Sequence, residues 1–258
     1  ISNKYEYSYE YTERGLLKKD TCIREYYIID AQTQETLDLK ETRTKNYTYD
    51  KANRLATESN GNEIITYGYT ADGSIEEEVT GNVTKQYVYE KGRLVALKNN
   101  NTIVAKFAYD NIGNCTHYKQ DETKPANMEW ERGNLLKKYT DAKAIYSYNS
   151  QGIRFQKEVG EEKEITTYFL DGGKLLAERK GDRRVRFTYD QDGILGVQLI
   201  YQDIEHYGEG GLYHYVKDGS GNVVALMDSG DAVALYEYDT WGKCKVLNPD
   251  GTENKDSK

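Results

Sequence analysis

The chain has almost no proline: Pro125 and Pro249 are the two in 258 residues. Proline removes a donor from a sheet ladder, so a sequence that avoids it leaves its backbone available for continuous strand pairing. Cysteine is equally scarce. Cys22, Cys115 and Cys244 are odd in number and stand 93 and 129 residues apart, which gives neither a disulfide framework nor a metal motif. His117, His206 and His214 lack the close spacing of a zinc site, so no metal and no cofactor is expected. No apolar run approaches the eighteen or so residues of a transmembrane helix. Lys and Arg are dispersed over a chain of net charge −8, which argues against nucleic acid as a partner. G-x-S-x-G, the phosphate-cradling G-x-x-x-x-G-K and H-E-x-x-H are all missing. Acid runs such as Glu76-Glu77-Glu78 and Glu161-Glu162 read as solvated loop carboxylates rather than a tuned acid–base pair. The expected protein is not an enzyme. Its N-terminus, Ile1-Ser2-Asn3-Lys4, has no signal-peptide organisation and opens in mid-pattern, so the chain reads as a fragment of something longer.

What the chain does have is tyrosine, 25 of them beside 4 Phe and 2 Trp. Tyrosine buries a ring while keeping a hydroxyl for a partner, which suits half-wet sheet faces. The tyrosines are periodic. Y-x-Y pairs stand at Tyr47/Tyr49, Tyr67/Tyr69, Tyr87/Tyr89, Tyr146/Tyr148 and Tyr236/Tyr238. With the second aromatic of each unit as an anchor, the series is Tyr11, Tyr49, Tyr69, Tyr89, Tyr109, Trp130, Tyr148, Leu170, Tyr189, Tyr215 and Tyr238. Successive anchors lie 38, 20, 20, 20, 21, 18, 22, 19, 26 and 23 residues apart. The long first gap can be split at Tyr27-Ile28-Ile29-Asp30, a degenerate copy with Ile29 as anchor. About a dozen units of roughly twenty residues are therefore expected, a repeat array from end to end.

Within a unit, residues such as Ile103, Ala105, Phe107 and Tyr109 alternate with Val104, Lys106 and Ala108. Period two is the mark of a strand with unlike faces, and it places both rings of a Y-x-Y on one of them. A short polar residue follows: Asp50, Asp110, Asn149, Asp190 or Asp239, each able to bond to the backbone just ahead and open a turn. Then comes Gly73, Gly92, Gly113, Gly152, Gly193 or Gly242, with Asn53 once, the residue types that tolerate the positive φ of a tight turn. Trp241 stands inside the last of these turns, and Leu55 and Leu94 begin return strands. A second turn signal closes each unit, as at Asn60-Gly61-Asn62, Gly81-Asn82 and Gly181-Asp182. Two turns per unit leave strands of about seven residues. The fold class is all-β: a long antiparallel meander of hairpins that must curl or spiral, because strand twist accumulates. Residues 1–245 are expected to form one continuous strip and 246–258 a polar tail, while 116–128 and 202–212 break the period and should be irregular loops.

The unit Y-x-Y-D-x-x-G-R-L resembles the YD repeat of RHS-repeat proteins, a family that includes bacterial Rhs polymorphic toxins, the C component of Tc toxins and animal teneurins. The likeness covers nearly the whole chain. It is densest in Tyr213–Leu226 and in Tyr236-Glu237-Tyr238-Asp239-Thr240-Trp241-Gly242, which looks like the segment leading into the RHS-associated core. The resemblance implies a β-strip spiralling into a hollow shell around a C-terminal toxin or effector domain. It also implies a secreted or cell-surface setting, with the rest of the parent shell and its cargo as partners. In the toxin members an aspartate-dependent self-cleavage at a motif built around DPxG frees the cargo. Asn248-Pro249-Asp250-Gly251 has only a superficial likeness to that motif, and no catalytic residue is carried over.

Three functions are thus in play. Enclosure by a structural shell segment ranks first. A cell-surface adhesin or carbohydrate-binding module ranks second, because rings on a rigid sheet can stack on a cell-surface glycan; against it, Trp130 and Trp241 are isolated and the glycines belong to turns. Catalysis ranks last. Exposed edge strands of aromatic sequence also invite self-association through sheet edges.

Overall fold

The structure, a computed structural model, describes residues 4–29, 36–120, 125–191, 193–203 and 210–255. These residues are all-β and form twenty-two strands assigned to one antiparallel meander. In chain order they are β1 (Lys4–Tyr11), β2 (Leu17–Ile29), β3 (Thr36–Tyr49), β4 (Leu55–Asn60), β5 (Glu63–Tyr69), β6 (Ile75–Thr80), β7 (Val83–Glu90) and β8 (Arg93–Asn99). There follow β9 (Thr102–Tyr109), β10 (Cys115–Gln120), β11 (Ala126–Glu131), β12 (Leu135–Tyr139), β13 (Ala144–Tyr148), β14 (Arg154–Val159), β15 (Glu164–Asp171) and β16 (Lys174–Lys180). The last are β17 (Arg183–Asp190), β18 (Gly193–Tyr201), β19 (Gly211–Lys217), β20 (Val223–Asp228), β21 (Asp231–Tyr238) and β22 (Cys244–Leu247). Among the described residues, ladders join strands that are consecutive in sequence, as the hairpin reading requires.

The first long gap between anchors has a different cause from the one the sequence suggested. β2 and β3 run 13 and 14 residues and pair from Lys19↔Asn46 to Ile29↔Thr36. Residues 16–29 and 36–45 contain no glycine, asparagine or proline, and the ladder between them runs without a break. Ile29 ends β2, and Asp30 lies outside the described residues. The segment 116–128 is likewise mostly strand rather than loop, since β10 and β11 reach into it from both sides. Tyr118 holds β10 in place by packing its ring 5.2 Å from that of Phe107. Of the other expected loop, Gln202 and Asp203 are outside any strand, β19 already begins at Gly211, and residues 204–209 lie outside the described residues.

The chain divides into two compact units, residues 1–64, 187–200 and 207–258 in one and residues 65–186 and 201–206 in the other. In the first unit Ala225, Ala232, Leu235 and Leu247 form a buried cluster, and Tyr5, Val216 and Met227 pack against it. The N-terminal strand β1 thus contributes to the core of the C-terminal strands. In the second unit the buried hydrophobic positions among the described residues are Tyr67 and four alanines, Ala96, Ala105, Ala126 and Ala144. The buried side chains here are mostly small, so stability resides in contacts between successive hairpins rather than in one thick core.

Candidate functional site

The repeated phrase builds a repeated device, and its first part is the turn. The Asp110 Oδ1 accepts from the backbone N–H groups of Ile112, Gly113 and Asn114 at 3.0, 2.8 and 2.8 Å, and its Oδ2 accepts from the Asn114 amide at 2.8 Å. Asp218 binds Ser220, Asn222 and the Asn222 side chain in the same way. Asp50 does so with Ala52 and Arg54, Asn149 with Gln151 and Ile153, and Asp239 with Trp241 and Lys243. Burial alone would raise the Asp110 carboxyl. The Asn114 side chain and the amides of Asn114, Gly113 and Ile112 outweigh it and hold the group below the ordinary aspartate range. For Asp50 the Arg54 amide is the largest influence, and the shift is again downward. Glycine completes these turns at positive φ, 103° at Gly113 and 81° at Gly242. Gly92 differs: with Lys91 at φ 51° and Gly92 at 74°, the pair makes a two-residue hairpin in which both residues are left-handed.

The second part is a bulge and its clasp. After six of the turns the return strand carries one extra residue: Lys18, Glu76, Val95, Thr116, Lys137 and Val224 stand between Leu17/Lys19, Ile75/Glu77, Leu94/Ala96, Cys115/His117, Leu136/Lys138 and Val223/Ala225 in the ladders. A bulge leaves a ladder group unpaired. The anchor aromatic of the next hairpin supplies the missing donor. Tyr49 donates to the Leu17 carbonyl at 2.8 Å, Tyr89 to Ile75 at 2.9 Å, Tyr109 to Leu94 at 2.8 Å, Tyr148 to Leu136 at 2.8 Å and Tyr238 to Val223 at 2.9 Å. Trp130 does the same through its indole N–H, to Cys115 at 2.7 Å. Leu170 keeps the anchor place without a donor. Burial raises the phenols of Tyr49, Tyr89, Tyr109, Tyr148 and Tyr238 above their ordinary range, keeping them protonated for this bond.

The bulge also explains residues that sequence reading missed. With one extra residue in the return strand, position i shares a face with i+3 instead of i+2. Glu58 and Glu78 therefore lie on the tyrosine face, opposite Tyr47 and Tyr67. The signal available was a Leu-x-x-Glu or Ile-x-x-Glu spacing, as in Leu55/Glu58, Ile75/Glu78 and Leu175/Glu178. Tyr87 donates to the Glu78 Oε2 at 3.1 Å, and the Lys85 ammonium lies 3.5 Å from the same atom. Glu78 and Lys85 border a cavity of about 350 Å³ in the second unit, lined also by Leu97, Asn99, Ala105 and Tyr118. Tyr146 and Tyr168 face the Arg154 guanidinium at 5.2 and 5.4 Å.

In the first unit the same face of β2, β3 and β4 is charged. The register aligns Tyr5, Arg24 and Glu41, then Tyr7, Cys22 and Arg43, then Tyr9, Asp20 and Lys45. Arg24 and Glu58 are only 5% and 4% exposed, and buried charges persist only with partners. Arg24 donates to the Pro249 carbonyl and stacks 4.0 Å from the Tyr26 ring. Lys45 donates to the Tyr238 carbonyl at 2.7 Å and lies 3.7 Å from Glu58. Glu58 accepts from Thr240, and Arg43 pairs with Glu237. Asn248-Pro249-Asp250-Gly251 is thereby docked as one more turn of the repeat type: the Asn248 N–H donates to Thr252 at 2.8 Å and the Gly251 N–H to Asn248 at 2.9 Å. Leu247, at the end of β22, is 2% exposed, so the stretch from 246 onward begins in the core.

The arrangement is one of mutual support. Asp50, Asp110, Asp218 and Asp239 are filled by backbone donors, and the hydroxyls of Tyr49, Tyr89, Tyr109, Tyr148 and Tyr238 are used on carbonyls rather than presented as stacking platforms. Cys22, Cys115 and Cys244 are free thiols, with burial raising the first two above their ordinary range. Among the described residues no group of three or more His, Cys, Asp or Glu could hold a metal ion, and no helix is long and apolar enough to cross a membrane.

No protein-family model matches the chain, and no curated protein matches it. Similar solved structures include the Photorhabdus luminescens Tc holotoxin pore, at 12% identity and TM-score 0.37, covering 94% of this chain and 17% of that one. A crystal structure containing TcdB2 and TccC3 is similar at 12% identity and TM-score 0.37, over 93% of this chain and 16% of that one. A porin-like protein from Bacteroides uniformis is similar at 9% identity and TM-score 0.18, over 95% and 88% of the two chains. The chain spans about a sixth of the length of the first two. Likeness at this level identifies no family and no activity.

Proposed function

We propose that the chain is a non-enzymatic wall segment of a larger YD-repeat protein, whose role is to help enclose a cargo domain. The carrying observation is the aromatic clasp: at Tyr49, Tyr89, Tyr109, Trp130, Tyr148 and Tyr238 a side chain of one hairpin closes the bulge of the hairpin before it. A device that binds each repeat to its predecessor produces a continuous sheet, which is what a wall requires and a catalytic site does not. The family resemblance of the repeats adds the expected setting, a secreted or surface-exposed toxin-like protein whose shell partners are the remaining repeats. The carbohydrate-binding alternative is weakened by the same clasp, because a ring held edge-on to a carbonyl by its hydroxyl is not free to present its polar end to a sugar.

Limited proteolysis of the whole parent protein tests the reading. The enclosed domain should be cut slowly in the native protein and faster when clasps are removed together, as in Tyr89→Phe with Tyr109→Phe. Equal cleavage rates in the native protein and in the isolated cargo domain would overturn enclosure.

A further inference from the structure

In the second unit, the face of β15, β16 and β17 that turns away from the tyrosines carries an unbalanced charge. The ladder sets Arg179 opposite Arg184 and Ala177 opposite Arg186. β15 adds Thr167 opposite Arg179 and Phe169 opposite Ala177. Three guanidinium groups thus occupy two neighbouring rows of one face, with Arg179 and Arg186 exposed and Arg184 half-buried. On the tyrosine face of the same strands the cations are matched: Lys180 pairs with Glu164 at 2.9 Å and Arg183 with Glu178 at 3.3 Å. Among the described residues none of Arg179, Arg184 and Arg186 pairs with a carboxylate. Like charges directly opposite one another destabilise a ladder, so the Arg179–Arg184 pair weakens the sheet and gains nothing inside the chain.

Apolar side chains border these cations. Phe169 and Ile165, on the same face of β15, are 48% and 46% exposed. Only Ala177 stands between Phe169 and Arg186 in their row. Strands lie about 4.8 Å apart, so the backbones of β15 and β17 are separated by about 10 Å with a short side chain between them, which leaves a notch for one apolar side chain laid over Ala177. Along β17, Arg184 and Arg186 stand about 7 Å apart, the spacing of side chains i and i+2 in any extended chain. We infer that this face docks an extended acidic peptide segment of another polypeptide. Its carboxylates at i and i+2 meet Arg184 and Arg186, whose planar forks suit a carboxylate, and its apolar side chain lies on Ala177 beside Phe169. Arg179, opposite Arg184, shares the first carboxylate, which relieves the like-charge contact.

The surroundings select a short acidic segment over a polyanion or a membrane surface. Glu158 faces Ile165 on the same side of the sheet, and the chain as a whole carries a net charge of −8. An extended array of phosphates would reach past the three arginines into that negative field, whereas two carboxylates stay within the patch. Docking at this face is independent of enclosure.

Fluorescence anisotropy with the 258-residue chain and a labelled peptide carrying Glu-Ser-Glu-Ser-Phe tests this, with circular dichroism to check that each variant is folded. The wild type should bind saturably, and more tightly at low salt than at high salt. A Gln-Ser-Gln-Ser-Phe peptide should bind on the order of ten-fold more weakly, and so should the acidic peptide to the double variant Arg184→Gln with Arg186→Gln. Arg179→Gln should weaken binding while leaving the chain at least as stable to heat, because it removes the like-charge contact. Lys106→Gln changes the net charge equally on the same face, where Lys106 stands opposite Lys119, and should leave the affinity within about two-fold. No saturable binding up to about 1 mM would overturn the inference. So would arginine variants that bind like the wild type, or a Lys106→Gln variant that loses as much as they do. Tighter binding of heparin or of phosphatidylserine vesicles than of the peptide, abolished by the same arginine variants, would also overturn it and assign the patch to a polyanion or a membrane.

Discussion

The Tyr109 hydroxyl donates to the Leu94 carbonyl at 2.8 Å, and Leu94 is the residue that the previous anchor, Tyr89, faces across its own hairpin. The same relay runs through Tyr69, Ile75 and Tyr89, through Tyr109, Cys115 and Trp130, and through Trp130, Leu136 and Tyr148. Removing the hydroxyl alone should be felt. Tyr109→Phe keeps the ring and leaves the Leu94 carbonyl without this donor, a loss of about 1 kcal/mol. Tyr109→Ala should cost several times more through lost packing. Thermal denaturation of both variants measures the difference, and a Phe variant as stable as wild type would show that the clasp is incidental.

Gly113 is at φ 103°, and a Cβ there would also meet the Arg93 guanidinium at 3.6 Å. Gly113→Val should destabilise by on the order of 1–3 kcal/mol, the cost of holding a branched residue in that region. Denaturant titration reads the loss, which should appear in the midpoint with the slope unchanged.

The Asp110 turn makes a prediction in pH. Its carboxyl is held below the ordinary range in the folded chain, so its stabilising effect is complete above the unfolded value and is lost as pH falls through the folded one. Asp110→Asn retains an acceptor oxygen and should be less stable than wild type at neutral pH, and Asp110→Ala less stable again. The margin between wild type and Asp110→Asn should close as pH drops below about 3.9, the ordinary aspartate value. Melting temperatures across that range decide it.

Tyrosine sets the alkaline limit. Burial raises the phenols of Tyr5, Tyr87, Tyr215 and Tyr236, and raises Tyr7 furthest. Because the folded chain holds these protons more tightly than the unfolded chain, their contribution is complete below about pH 10 and is lost as pH rises through the folded values. Tyrosinate absorbance should lag behind that of free tyrosine and then rise together with the loss of β circular dichroism. Independent titration at the ordinary value with the dichroism unchanged would contradict the burial of these rings.

The sequence alone determined the strand–turn alphabet. Period-two alternation in Ile103–Tyr109, the polar residue of Asp110 and the glycine of Gly113 act over a few neighbouring residues, so their outcome is written locally. It also determined that the elements repeat and meander. Tertiary structure decided whatever depended on partners far away in sequence or on a change of parity. The extra bulge residue shifts Glu58 and Glu78 onto the tyrosine face, which strict alternation reads as the opposite face. The long β2–β3 ladder, unbroken from Lys19↔Asn46 to Ile29↔Thr36, is a pairing over longer strands than a search for a twenty-residue repeat registers. The charged face of Arg24, Arg43 and Lys45 has a role only because the fold brings Pro249, Glu237 and Tyr238 against it. Buried charges are tolerable only when matched, and no local pattern in β2 or β3 indicates that the match lies about two hundred residues further along.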